Sequence, residues 1–218
     1  MTSPRTRRRS KLAPDPDVRR TIVAAAAEAL REQGVRGLSV AAVLDRAGLS
    51  TRAFYRHFAS KDQLVAAVFL EMAHGEKRRL QRKMAKAGNP VEAVAAWIDG
   101  RLDLAFDENI KSDLRRLSLE AQSQLFAAPE LIQPAYEEML KPLIEQLNDG
   151  LSQGVFHDVD STTDARSIQG VVWASTEGQW AAANCERSEV RRRVVRFCLR
   201  GLGVQPEVIA DIAARDRL

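Results

Sequence analysis

Cysteine is scarce in this chain: there are two in 218 residues, Cys185 and Cys198. Their spacing makes neither a metal pair nor a disulfide framework, and they read as small apolar residues in a reducing compartment. The three histidines, His57, His74 and His157, are scattered, and no second ligand sits at helical spacing from His57. Catalytic signatures are missing as well. There is no Gly-rich phosphate loop, no Gly-x-Ser-x-Gly and no His-Glu-x-x-His. No enzyme activity, no cofactor and no metal are therefore expected. No apolar run reaches the ~18 residues of a membrane span. No apolar core follows the basic N-terminus, so export is not expected and the cytoplasm is. Proline is thin at 8 residues and glycine at 12, leaving long stretches without either. Alternating β-branched runs joined by hairpin dipeptides are missing too. The expectation is an all-α chain.

What is present is a globular composition, 45% hydrophobic and 28% charged, with an uneven distribution of charge. Residues 1–61 hold 13 Lys/Arg against 5 Asp/Glu, a net +8, whereas residues 62–218 hold 20 against 24, a net −4. A basic first quarter on a mildly acidic body suggests a nucleic-acid-binding end attached to a region with another task.

Residues 1–14, with Arg5, Arg7, Arg8, Arg9 and Lys11, carry no periodic apolar pattern. They read as a disordered basic arm, either reaching an adjacent minor groove or serving as a solubilising tail. Asp17 is a candidate N-cap for a first helix carrying Ile22, Ala25, Ala26, Ala29 and Leu30, with Gly34 as its left-handed C-terminal cap. Ser39 caps Val40–Ala47, Ser50 caps a short helix from Thr51 to His57, and Ser60 caps a fourth that runs to about Lys86. Gly88-Asn89-Pro90 is the clearest break. Further helices are expected over about 90–106, 108–125, 129 to 150 or 154, 164–184, 187–202 and after Pro206, with a polar loop at 158–163 between two of them. That gives nine or ten helices in three regions: the arm (1–14), a DNA-binding domain (15–62) and a larger helical domain (63–218).

The segment from Leu38 to Phe58 has its own physical logic. Two short helices joined by Gly48-Leu49-Ser50 form a helix-turn-helix. Val40, Val43, Leu44 and Ala47 form one apolar face, met by Leu49, Ala53, Phe54 and Phe58. Thr51, Arg52, Tyr55 and Arg56 are left to point outwards, as a helix reading base edges in a major groove requires. Ser39, Tyr55 and Lys61 can reach phosphates, His57 contributes to packing or to a phosphate contact, and Ser50 joins the DNA-binding set as the cap of the third helix. Ala47-Gly48-Leu49-Ser50, Tyr55-Arg56-His57-Phe58 and Lys61-Asp62-Gln63-Leu64 together resemble the signature of the tetracycline-repressor (TetR) family, over roughly residues 17–70. Leu44 departs from it, standing where a small Ala is usual. The resemblance implies a three-helix DNA-binding domain on a C-terminal helical domain that binds a small-molecule effector and dimerises. It implies a regulator, expected to be a repressor, that binds a roughly palindromic double-stranded DNA operator as a homodimer. The alternative is a DNA-binding architectural protein without ligand control.

The larger region is less informative. Gly170, Ala174, Gly178, Ala181 and Cys185 form a small-residue stripe which, with Val194 and Phe197 on the next helix, fits either a dimer interface or a packing face within the chain. Trp97, Phe106, Phe126, Tyr136, Met139 and Trp173 are candidates to line an effector pocket or simply to fill the core, and Glu177 is the polar candidate beside them. Arg191-Arg192-Arg193 reads as a solvated face, or as a partner for acids on a neighbouring subunit.

Overall fold

A computed structural model describes residues 15–107, 112–182 and 185–215, and for residues 112–114, 125, 126, 180 and 182 the backbone alone. The expected basic arm, 1–14, lies outside the described residues. Among those residues there are ten helices and no strand: α1 (Pro16–Gly37), α2 (Val40–Ala47), α3 (Thr51–Tyr55), α4 (Lys61–Met84), α5 (Pro90–Phe106), α6 (Ser112–Ala127), α7 (Pro129–Ser152), α8 (Ser161–Ala182), α9 (Arg187–Gly201) and α10 (Pro206–Ala214). The all-α expectation holds, at ten helices.

Several ends differ from the sequence reading, each for a local reason. Asp15, not Asp17, caps α1: its side chain accepts from the Asp17 N–H at 2.9 Å. Pro16 then takes the first helical position, where its missing N–H costs nothing. Gly34 has φ 69° and ψ 178°, positive but extended, so it kinks α1 rather than capping it, and a short helical piece continues to Gly37. The polar stretch before α8 is a cap rather than a loop. The Asp160 carboxylate accepts from Thr163 N at 2.7 Å, and Asp164 accepts from Asp160 N at 2.9 Å, so the helix starts at Ser161.

The chain forms two compact units, residues 1–68 and 69–218, divided inside α4. In the first, Ile22, Ala26 and Leu30 of α1 are buried, as are Val43 and Leu44 of α2, Phe54 of α3, Phe58, and Leu64 and Val65 of α4. Leu44 is only 5% exposed, so the larger side chain is accommodated within this core. In the second unit α5 is central: 14 of its 17 residues are buried, so it needs neighbours on every side. It packs against α7, α8 and α9. Gly100 lets it approach α4 closely, since a Cβ there would come within 2.6 Å of Leu80 Cδ2.

This buried helix carries Asp99, Arg101 and Asp103, which are 1%, 6% and 2% exposed. Buried charges must be paired. Arg191 Nε donates to Asp99 Oδ1 at 2.7 Å, and Arg187 reaches Asp99 at 3.3 Å and Asp103 at 3.0 Å. Lys83 meets Asp103 at 2.7 Å. Arg191 also donates to the carbonyls of Ile212, at 3.0 Å, and Arg215, tying the end of α10 to α9. Arg191 is thus wholly buried and paired within its own chain, while Arg192 and Arg193 are exposed. The expectation of a uniform solvated triple-Arg face is corrected for Arg191, which points inward with Val190 and Val194. Arg191→Met should destabilise the protein by about 3 kcal/mol, the low end for a broken buried pair because Arg187 still reaches Asp99. Urea unfolding at constant m-value would measure it, and a loss under about 1 kcal/mol would mean that Arg187 alone satisfies Asp99.

Candidate nucleic-acid interface and an interior cavity

The turn between α2 and α3 is built from three short-range devices. Ser39 caps α2, its hydroxyl accepting from Ala42 N at 3.5 Å, a long contact. Gly48 ends α2 at φ 63°, ψ 33°, donating its N–H to Asp45 O, while Leu49 N donates to Leu44 O at 3.0 Å. Both bonds satisfy carbonyls that the helix end would otherwise strand. Ser50 then caps α3 by accepting from Ala53 N at 3.3 Å. A further cap starts α4: Ser60 accepts from Gln63 N at 3.2 Å, and Gln63 Oε1 accepts from Ala59 N at 2.8 Å, one residue before the cap.

Aromatic packing fixes the inner side of α3. The Phe54 and Phe58 rings lie 5.6 Å apart, and the Arg19 guanidinium sits 5.2 Å above Phe58. With Phe54 inward, the opposite side of α3 is left to solvent. Thr51, Arg52, Tyr55 and Arg56 are exposed, as are Ser39 and Ser50, while His57 and Lys61 are half-buried. Tyr55 is 65% exposed although its ring packs edge-on against Phe54 at 5.2 Å. Three acidic groups of this unit are engaged in ion pairs: Asp17 with Arg20, and Glu28 and Glu32 with Arg46 at 3.7 and 2.7 Å.

The second unit holds a cavity of about 60 Å³ that opens to solvent on one side. α4 supplies Phe69, Met72 and Glu76 to its wall, α5 supplies Arg101, and α6 supplies Leu117 and Ser118. α7 adds Ile132, Tyr136 and Met139, and α8 adds Trp173. Of the expected pocket residues, Tyr136, Met139 and Trp173 are therefore brought together. Trp97 is fully buried in the core, away from this wall, and Phe106 is half-buried against the same core. Glu177 is exposed and borders no part of the cavity. The Phe126 side chain lies outside the described residues. Glu177 is misplaced because the inward face of α8 runs through Val172, Trp173 and Thr176, one position before it.

The polar groups of the wall are Glu76 and Arg101, which the sequence reading missed. Arg101 Nη1 donates to Glu76 Oε1 at 2.7 Å, and Arg79 donates to both Glu76 oxygens at 2.8 Å each. Burial pushes the Glu76 carboxyl up, but the Arg79 hydrogen bonds and the charges of Arg101 and Arg79 outweigh it and hold the acid below its usual range. Across the cavity Tyr136 donates to Gln122 Oε1 at 2.7 Å. Burial raises its phenol, opposed by the charge of Arg101.

The small-residue stripe of α8 is on the outside. Gly170, Ala174, Gly178 and Ala181 are exposed, and Cys185 is half-buried. A Cβ at Gly170 or Gly178 would meet nothing within 4 Å, so these glycines are not needed for packing within the chain. With Val194 and Phe197 of α9 the stripe borders a surface groove, and Phe197 is 66% exposed.

The family described as bacterial regulatory proteins, tetR family, matches residues 22–68. The chain is 25% identical over 183 residues to the HTH-type transcriptional repressor KstR2 of Mycobacterium tuberculosis, covering 81% of this chain and 88% of that protein. Its fold is similar to that of RolR in complex with resorcinol, at TM-score 0.65 and 19% identity over 93% of this chain and 96% of that one. It is also similar to FadR of Bacillus subtilis in complex with stearoyl-CoA, at TM-score 0.64 and 19% identity over 84% and 98%.

The αL turn offers a clean test. No atom lies within 4 Å of a Cβ added at Gly48, so Gly48→Ala costs backbone strain alone, about 1–2 kcal/mol. Gly48→Asn should cost less, because Asn tolerates this conformation. Thermal melts of both variants would read the order, and equal losses would count against the turn geometry.

Proposed function

We propose that the chain belongs to the tetR family of bacterial regulatory proteins, on the match of residues 22–68, and that it is a ligand-responsive transcriptional repressor, binding a roughly palindromic operator as a homodimer and released by a small molecule. The carrying observation is the outer side of α3, where Thr51, Arg52, Tyr55 and Arg56 stand exposed on a helix whose inner side is fixed by Phe54. Arg52 and Thr51, at the start of α3, read base edges. Ser39, Tyr55, His57 and Lys61 position the phosphate backbone, and the N-terminal arm adds charge to it. The cavity separates this reading from that of an architectural protein without ligand control, as do the ligands held by RolR and FadR. No helix among the described residues is long and apolar enough to cross a membrane, which fits a DNA-binding protein working in the cytoplasm.

A dimer follows from the outer face of α8 and α9. Small residues allow two helices to approach closely, and a two-fold axis there pairs the stripe with itself. Exposed Phe197 is the apolar anchor beside it.

Two measurements test the proposal. Selection of bound DNA from a random pool should return a near-palindrome. On that site Arg52→Ala should cost ~1–3 kcal/mol and relax preference at one position per half-site, whereas Lys61→Ala should weaken all sequences alike. Equal loss on selected and random DNA for Arg52→Ala would remove it from base reading. For assembly, Gly178→Trp has room in the isolated chain, since nothing lies within 4 Å of its Cβ position. The variant should therefore fold and sediment as a monomer with weakened operator binding. A variant that remains dimeric would move the interface elsewhere.

A further inference from the structure

The cavity at Glu76 and Arg101, at about 60 Å³, is smaller than the roughly 150 Å³ that holds one benzene ring. A larger void lies beside it. A groove of about 380 Å³, open to solvent, is lined by residues of α7 and α8 and by Gln122 of α6. Tyr136 and Trp173 belong to both walls. The groove falls within the usual size of small-molecule sites, about 300–1,000 Å³.

One polar group of the groove is buried and unanswered. Gln169 of α8 is 6% exposed, and its Oε1 has no hydrogen-bond partner. A buried acceptor costs free energy until something donates to it. The last torsion of a glutamine is broad, so the oxygen can swing to a donor arriving in the groove. Space for one is at hand: a Cβ added at neighbouring Gly170 would meet nothing within 4 Å. The other polar groups are already engaged. Tyr136 donates to Gln122 at 2.7 Å, and Gln133 donates to Glu137 at 2.9 Å. Among the described residues the charges of the groove are Glu137 and Arg166, both exposed and 3.8 Å apart. They answer each other and leave no net charge for an ion to offset. An ion moved against Leu140 and Trp173 would lose hydration without meeting a buried opposite charge. A neutral apolar body gains by the same burial.

We propose that this groove is the effector site, and that it takes a neutral, largely apolar molecule about as large as two fused rings, which donates one hydrogen bond to the Gln169 side chain. This rests on the reading of the chain as a ligand-responsive regulator and names the ligand class for it. The cavity behind Tyr136 and Trp173 is too small to hold such a body by itself.

The test uses full-length protein, calorimetry and two probe series: indole, N-methylindole, indoleacetate and tryptamine, then naphthol and methoxynaphthalene. The indole N–H donates and accepts nothing, so it reads the glutamine oxygen alone. In at least one series the donor should bind about fivefold or more tighter than its methylated partner. Indoleacetate and tryptamine, which keep the N–H but carry a charge, should bind more weakly than indole. Gln169→Met keeps an unbranched side chain of similar length and removes the amide. It should bring each donor and its methylated partner to within about twofold of each other. Its melting temperature should equal or exceed the parent's, because an apolar group replaces an unanswered polar one. A clearly lower melting temperature would show that Gln169 is already satisfied, and would overturn the inference. So would methylated probes binding as tightly as donors, an ion binding more tightly than indole, no probe binding, or a donor preference that survives Gln169→Met. Donor-selective binding that leaves operator affinity unchanged would sink the regulatory reading and leave the ligand class standing. Operator release by an ion alone, unaffected by Gln169→Met, would do the reverse.

Discussion

A helix buried on all sides cannot carry charge unless its neighbours answer it, and α5 carries three charges. Asp99 and Asp103 lie one turn apart and are met by Arg187 and Arg191 of α9, and Asp103 is also met by Lys83 of α4. Arg101, two positions from each, meets Glu76 of α4. The arrangement of the second unit follows from these pairs. α9 must lie along one side of α5 with its arginines inward, and α10 is drawn in because Arg191 has donors left for its carbonyls. The residues of α4 beyond Phe69 must lie along the other side, and Gly100 removes the Cβ that would keep them apart. Such pairs do not maximise stability, since an apolar replacement is often as good or better. Their effect here is to fix which helix faces which.

The first unit is organised by short-range signals instead. Three serine caps and one left-handed glycine define where α2, α3 and α4 begin or end, each through a bond spanning three to five residues. The aromatic contacts then decide rotation. Phe54 and Phe58 face the core, and that alone turns Thr51, Arg52, Tyr55 and Arg56 outward. The chemistry available to DNA is thus what the core leaves over.

This contrast explains what could be read from the sequence. The starts of α2, α3 and α5 match the reading because Ser39, Ser50 and Asn89 act on their own first turns. The kink at Gly34 was misread as a cap because positive φ is written in the residue type, whereas ψ is set by the chain that follows. Tyr136, Met139 and Trp173 were found as large apolar groups on different helices, but the same criterion admitted Trp97, which is core. Periodicity reports that a side chain is buried, not whether it borders a void. Glu177 fell one position off the inward stripe of α8, an angular error of about 100° in a helix of 3.6 residues per turn. Arg101 and Glu76 went unread for another reason. Their pairing joins residues 25 apart on two helices, and no local pattern announces it.

α4 begins with the caps at Ser60 and Gln63, in the first unit, and carries Glu76 to the cavity of the second. A ligand shifts an equilibrium only by its difference in affinity for the two states.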